Sequence, residues 1–196
     1  MNEITVSRLG CIVLSLFPAL WGLFSLLNNT ADFAGTARNA VGPLLAMQDT
    51  YQTPGLMWRA IGADWACMLG LAVITTLETL AGLFAAAGVV LMIGRFKGPY
   101  AAFAKGKIWA MLGALCAIAV WGVGFMVVAG DWFMAWQAKQ DPLAVQLGGT
   151  DLPGAQCVCL AVPDAAAGAA LNEGGAGRGY SALLIYQMPI EPWALV

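Results

Sequence analysis

The sequence predicts an all-α protein, a transmembrane helical bundle with three clear spanning helices and an irregular C-terminal tail. Hydrophobic residues make up 60% of the 196-residue chain and charged residues 10%, whereas a soluble domain carries about 25% charged residues. The mean hydropathy is +0.76. Three apolar runs, at about 9–27, 66–94 and 108–130, have the length of roughly 20 residues that a helix needs to cross a bilayer.

The first apolar run, residues 9–27, follows a short polar lead that ends at Arg8. No small-x-small cleavage pattern follows it closely, so we expect a retained spanning helix and not a signal peptide. Pro18 removes one backbone hydrogen bond and should kink this helix unless neighbouring groups satisfy the freed carbonyl. Asn28 and Asn29 are expected to mark its exit to water.

The connection between the first two spans, residues 28–65, is rich in glycine and proline and too polar to cross a membrane. We interpret it as an outer loop. Within it, Thr36 to Met47 is expected to form a short helix lying in the membrane interface. Trp58 and Trp65 flank the entry to the second span, where an interfacial aromatic belt would lie.

The second apolar run, residues 66–94, carries Glu78 near its middle. A carboxylate at mid-bilayer costs about 2.5 to 3.5 kcal/mol. That cost falls if the group stays protonated, accepts hydrogen bonds from another helix or lines a wet cavity. Thr75, Gly82 and Ala86 share its helical face, and the Gly82–Ala86 pair allows close approach of another helix. We therefore expect this face to pack against protein, either as a proton, ion or ligand site or as a hydrogen-bonded contact without further function.

The connection 95–107 carries four basic residues and no acidic one: Arg95, Lys97, Lys105 and Lys107. The positive-inside rule therefore places it in the cytoplasm, together with the N-terminus and Arg8; a patch that binds anionic lipid or a partner is the alternative. The third run, residues 108–130, ends at Asp131 and Trp132, which we interpret as a polar and aromatic cap at the opposite interface.

The chain divides into one transmembrane bundle, residues 1–140, and a Gly/Ala/Pro-rich tail, residues 141–196. The tail contains no apolar run long enough to span a bilayer, and its prolines interrupt any long helix. We expect it to be largely irregular.

The composition excludes several kinds of chemistry. The chain contains no histidine, which removes His-containing catalytic triads, two-His metal motifs and haem ligation by His within this chain. Cys157 and Cys159 form a C-x-C pair without a second cluster, which is a weak zinc signal. The net charge of −2 gives no indication of nucleic-acid binding. We predict no catalytic, cofactor-binding or metal-binding residue.

An enzyme remains the least favoured class. Asp49, Asp64, Asp131 and Arg59 could meet at the outer surface, and paired acids can perform acid–base chemistry. The spacing of these four residues does not require acid–base chemistry. We expect Asp64 and Asp131 to cap helix ends, and Arg59 to pair with one of these acids or with a lipid phosphate.

Three stretches together carry a family resemblance. They are MQDTYQTPGLMWRAI at Met47 to Ile61, LETLAGL at Leu77 to Leu83, and GDWFMAWQ at Gly130 to Gln137. Over roughly residues 9–140 the chain resembles a bacterial family of predicted small integral membrane proteins, domain of unknown function 2165. The resemblance implies a four-span bundle in the bacterial inner membrane, and it brings no activity, cofactor or substrate.

The chain departs from that family pattern after Gly149. The resemblance implies a fourth apolar helix there, and this sequence has a Gly/Pro-rich segment instead. Two explanations remain open, a shifted reading frame in the source gene and a genuine tail of this lineage. If the fourth helix is missing, Glu78 loses a natural partner face.

Two hypotheses for function follow. The first is an accessory or scaffold subunit of a larger membrane complex, or a homo-oligomer, because small-residue stripes and interfacial tryptophans occur without a catalytic constellation. The second is a proton- or ion-conducting or transport element centred on Glu78, although the sequence shows no second intramembrane charge and no internal repeat. The candidate functional or helix-packing residues are Glu78, Thr75, Gly82, Arg59, Asp131 and Trp132.

Overall fold

The fold is seen in a computed structural model that describes residues 3–138. Within this range every regular element is a helix and no strand occurs, so the predicted fold class is confirmed. The predicted tail at 141–196 lies outside the described residues.

Three long helices form the bundle. They are α1 (Glu3–Ala31), α2 (Asp64–Gly94) and α3 (Tyr100–Ala117), and α3 continues into a π-helical segment (Ile118–Trp132). The three continuous helices contain 29, 31 and 33 residues, and an 18-residue stretch within each has a mean hydropathy of 2.0, 1.9 and 2.3, respectively. At 1.5 Å per residue each is about 45 Å long, which exceeds the roughly 30 Å of a hydrocarbon core. The three predicted spans are confirmed.

The helices extend beyond the apolar runs at both ends of the bundle. α1 continues through Pro18 to Ala31, so Asn28 and Asn29 lie within its last turns. α3 begins at Tyr100, so only residues 95–99 connect it to α2. Hydropathy detects the part of a helix that lies in hydrocarbon, whereas the backbone hydrogen bonds continue the helix through the interface.

The connection between α1 and α2 is more helical than expected. It contains three consecutive short pieces, Phe33–Thr36, Ala37–Val41 and Gly42–Leu45, which we call the connecting helical segment. It begins three residues before the predicted interfacial helix and ends two residues before the predicted end. The Asp32 carboxylate accepts a hydrogen bond from the Gly35 amide at 3.0 Å and caps its first turn. Apolar residues of this segment pack against α2, so the segment lies on the bundle.

Small residues allow α2 to contact both of its neighbours closely. A Cβ atom at Gly22 of α1 would lie 2.6 Å from the backbone nitrogen of Gly82, which no side chain could tolerate. On the other side of α2, a Cβ atom at Gly88 would lie 2.8 Å from the Cβ of Ala110 in α3. The small-residue faces predicted from the sequence are therefore used within the chain, where they bring α1, α2 and α3 together.

The two ends of the bundle differ in their side chains. At the end we call the basic end are Arg8, Arg95, Lys97, Lys105 and Lys107. At the end we call the aromatic end are Trp58, Trp65, Trp132 and Trp136. The Arg8 Nη1 atom donates hydrogen bonds to the carbonyls of Phe96 at 2.7 Å and Gly98 at 2.8 Å. These contacts tie the start of α1 to the connection between α2 and α3.

Candidate functional site

Glu78 is buried at the centre of the bundle, with 3% of its surface exposed. It lies 14 residues after Asp64 and 16 before Gly94, about 21 Å and 24 Å from the two ends of α2. Thr75 and Gly82, one turn away on either side, are buried as well. Because side chains on a helix lean toward its N-terminus, the Glu78 carboxyl group is directed toward the aromatic end.

Neutral donors from two other elements hold the carboxyl group. The Asn29 Nδ2 atom donates to Oε2 at 3.1 Å, and the Trp121 Nε1 atom donates to Oε1 at 3.2 Å. Both oxygens therefore have a donor, and neither donor is a cation. The arrangement satisfies the hydrogen-bonding needs of the group without neutralising a carboxylate.

The local sequence explains how these donors reach Glu78. Gly22, Ser25 and Asn29 are spaced by three and four residues, which places them on one face of α1. Gly22 packs on the α2 backbone at Glu78 and Gly82, and this contact sets the short distance between the helices. Asn29 then lies nearer the aromatic end, in the direction in which the Glu78 side chain leans. This spacing is the signal that could have identified Asn29 from the sequence.

Trp121 reaches the carboxyl group from the π-helical segment. Its ring packs edge-on against Trp21 at 5.2 Å and Phe17 at 5.8 Å between ring centroids. Wide π-helical turns often occur at functional sites, and here the wide winding begins three residues before Trp121. No sequence signal distinguishes this tryptophan from the other apolar residues of the third span.

A cavity of about 920 Å³ ends at Glu78. Its walls come from α1, the connecting helical segment, α2 and the π-helical segment, and most of the lining residues are apolar. Several of these wall residues are exposed, including Phe24 at 59% and Leu69 at 56%. Within the described part of the chain the cavity is therefore open between spanning helices, and Glu78 is the only ionisable side chain among the described residues that line it.

The remaining predicted residues lie apart from Glu78, at the aromatic end. The Arg59 guanidinium lies 4.7 Å from the Trp132 ring centroid and 5.6 Å from that of Trp58. It also donates to the Trp132 carbonyl at 3.4 Å. Asp131 is exposed. The structure thus separates the candidates into a buried group on α2 and an aromatic and basic group at the surface.

Asp64 pairs with Arg38, whereas the sequence suggested Arg59 as a partner for Asp64 or Asp131. It begins α2, and its carboxylate accepts hydrogen bonds from Arg38 at 2.8 Å and 3.1 Å. The hydrogen bond to Asp64 raises the pKa of Arg38, and both side chains are exposed. Of the acidic residues considered for acid–base chemistry, Asp64 is thus paired with Arg38. Within residues 3–138, no three Cys, Asp or Glu side chains gather into a metal-binding group.

Replacing Trp121 with phenylalanine is expected to destabilise the bundle by about 1 to 3 kcal/mol, because the buried Oε1 atom of Glu78 loses its donor while the ring packing is kept. Trp109→Phe is the matched control, since Trp109 is 42% exposed and packs only its ring against Phe84. Unfolding by SDS titration in mixed micelles measures the difference. Equal losses for the two variants would show that the hydrogen bond contributes nothing.

The fold and the site define a class of protein. Three bilayer-length apolar helices, packed through glycine and enclosing one carboxyl group at mid-span, form a small multi-pass integral membrane protein. Residues 7–149 match the family described as predicted small integral membrane protein (DUF2165), and the chain belongs to that family. The resemblance drawn from the three sequence stretches is confirmed, over a slightly longer range. Comparison with curated proteins and with solved structures finds no match.

Proposed function

We propose that this protein is a transport element of the membrane, in which the Glu78 carboxyl group takes up and releases a proton or another cation. The observation that carries the proposal is the position of Glu78 at mid-span and at the inner end of the cavity. An ionisable group inside a membrane is costly, and it marks an ion or substrate path more often than a structural contact.

The cavity favours this role over a purely structural hydrogen bond. A carboxyl group that only joined two helices would need no cavity beside it. Glu78 is 3% exposed and is held by Asn29 and Trp121, and it also belongs to the lining of the cavity. A cation entering the cavity can therefore approach the carboxyl group without displacing a helix.

Glu78→Gln is expected to abolish proton or cation flux, because glutamine keeps the size of the side chain and cannot release a proton or hold a charge. The measurement is uptake into liposomes that contain the purified protein and a pH-sensitive dye, driven by a potassium diffusion potential. Flux through the variant should fall to the background of protein-free liposomes.

Glu3→Gln is the matched control for this experiment. It makes the same chemical change at an exposed residue of the basic end, so its flux should equal that of the native protein. Equal flux through the native protein and Glu78→Gln, or background flux through both, would remove the proposal.

A role as an accessory or scaffold subunit is the second candidate. The small-residue faces are already used inside the chain, so they no longer support it. The side opening of the cavity does, because a helix of a partner subunit placed against Phe24 and Leu69 would cover exposed wall residues. Affinity purification in mild detergent should then recover a stoichiometric partner, and recovery of the chain as a lone monomer would contradict this candidate.

We also infer an orientation in the bacterial inner membrane. The contacts of Arg8 with Phe96 and Gly98 place the N-terminal start of α1 at the same end as the basic connection. By the positive-inside rule this basic end is cytoplasmic, and the aromatic end is on the outer side. The cavity lies in the half of α2 between Asp64 and Glu78, which is the outer half in this orientation. The role we propose is not enzymatic.

A further inference from the structure

We propose that the cavity is a binding site for a monovalent organic cation with apolar substituents, whose charge pairs with Glu78. This inference names the substrate class of the site and rests on the transport role proposed above. Three independent features carry it, namely the charge, the aromatic lining and the side opening.

An ionised Glu78 has no cationic partner within the cavity. Asn29 and Trp121 supply hydrogen bonds to the carboxyl group and no positive charge. No lysine or arginine occurs among the described residues of the lining. A carboxylate in a low-dielectric setting is stabilised most by a partner of opposite charge, because water screens their attraction little there. The ligand that fits this group is a cation.

The aromatic lining of the cavity is suited to a ligand with apolar substituents. Aromatic side chains come from every spanning element around the cavity, with Trp21 and Phe24 on α1, Trp65 on α2 and Phe125 on the π-helical segment. Aromatic faces attract organic cations through the ring quadrupole and bury their apolar groups at the same time. A small hydrated metal ion would use neither property. The volume of about 920 Å³ matches that of sites for drug-sized molecules.

The side opening indicates how such a ligand enters. Phe24 and Leu69 belong to the cavity wall and are more than half exposed on the spanning helices. A cation with apolar substituents concentrates in the bilayer, so it reaches Glu78 from the lipid without crossing the polar end of the bundle. Entry from the bilayer also explains why the lining contains so few polar groups.

Binding of tetraphenylphosphonium tests the inference directly. The purified full chain in phosphatidylcholine nanodiscs is titrated with the radiolabelled cation, and empty nanodiscs give the lipid background. Native protein and Glu3→Gln should bind above background with equal affinity, whereas Glu78→Gln should lose about tenfold or more in affinity. Tetraphenylborate, which has the same shape and a negative charge, should not compete.

A second measurement uses only the native protein, so it does not depend on the folding of a variant. Dicyclohexylcarbodiimide should modify the Glu78 carboxyl group, and mass spectrometry of the peptide measures the extent. Tetraphenylphosphonium should protect the group and tetraphenylborate should not. Equal binding to native protein and Glu78→Gln, equal competition by the two ions, or the absence of protection would each overturn the inference.

The outcomes separate this inference from the transport role. Flux that depends on Glu78 without binding of tetraphenylphosphonium would leave the transport role in place and overturn the ligand class. Binding that depends on Glu78 without any flux would support the ligand class and overturn the transport role.

Discussion

Gly22→Ala is expected to destabilise the bundle by about 3 kcal/mol or more, because the added methyl group has no space between α1 and α2. The new Cβ would lie 2.6 Å from the Gly82 nitrogen and closer still to the Glu78 carbonyl oxygen. These are backbone atoms that cannot move as a flexible side chain does. The two helices must therefore separate, and the separation begins at the residue that carries the carboxyl group.

The matched control for this prediction is Gly10→Ala in the same helix, since no atom lies within 4 Å of a Cβ at Gly10. Alanine there should be neutral or slightly stabilising, because it has the higher helix propensity. Thermal loss of the monodisperse peak in detergent, followed by size-exclusion chromatography, compares the two variants. If Gly22→Ala and the native protein lost the monodisperse peak at the same temperature, α1 and α2 would not be in contact at Gly22.

Arg8→Met is expected to give the second largest loss of stability, about 3 kcal/mol or more. Arg8 is 7% exposed, and it donates to the carbonyls of Phe96 and Gly98 while its guanidinium lies 4.9 Å from the Phe103 ring centroid. Methionine keeps part of the volume and removes every donor. Two carbonyls of the connection between α2 and α3 then lose hydrogen bonds to a charged group, each contributing about 1.5 to 3 kcal/mol.

Two further variants make this prediction specific. Arg8→Lys should be intermediate, because an ammonium group keeps the charge and loses the planar fork that donates to two acceptors and stacks on a ring. Lys97→Met removes an exposed positive charge of the same end and should leave stability unchanged. SDS-induced unfolding measures all three. A loss for Lys97→Met as large as that for Arg8→Met would attribute the effect to net charge and not to the contacts of Arg8.

Much of the membrane topology could be predicted from local sequence. Each apolar run identified one spanning helix, and a single charge in the second run located Glu78 at mid-span. The helix ends were not predicted. α1 continues past Asn28 and Asn29 to Ala31, and Asn29 donates to the buried Glu78 carboxyl group on another helix. Such a contact needs a partner on a second helix, which one segment of sequence cannot show.

The candidate site was predicted only in part. The sequence showed no second intramembrane charge to pair with Glu78, and among the described residues the structure places two neutral donors there, Asn29 and Trp121, which the sequence did not identify. Arg59 and Trp132 were singled out separately, and the structure joins them by stacking. Small residues were correctly expected to allow close helix contacts, but they bring together helices of this same chain.

The sequence by itself determined that the chain enters a membrane, where its apolar helices lie along the chain, and at which depth its one central carboxyl group is placed. These properties follow from hydrophobicity summed over neighbouring residues, which requires no knowledge of any other helix. Only the tertiary structure decided which side chains meet that carboxyl group and that a cavity opens beside it. Those features depend on how each helix is rotated and how closely it approaches the next. Both are set by side-chain packing between segments far apart in the chain.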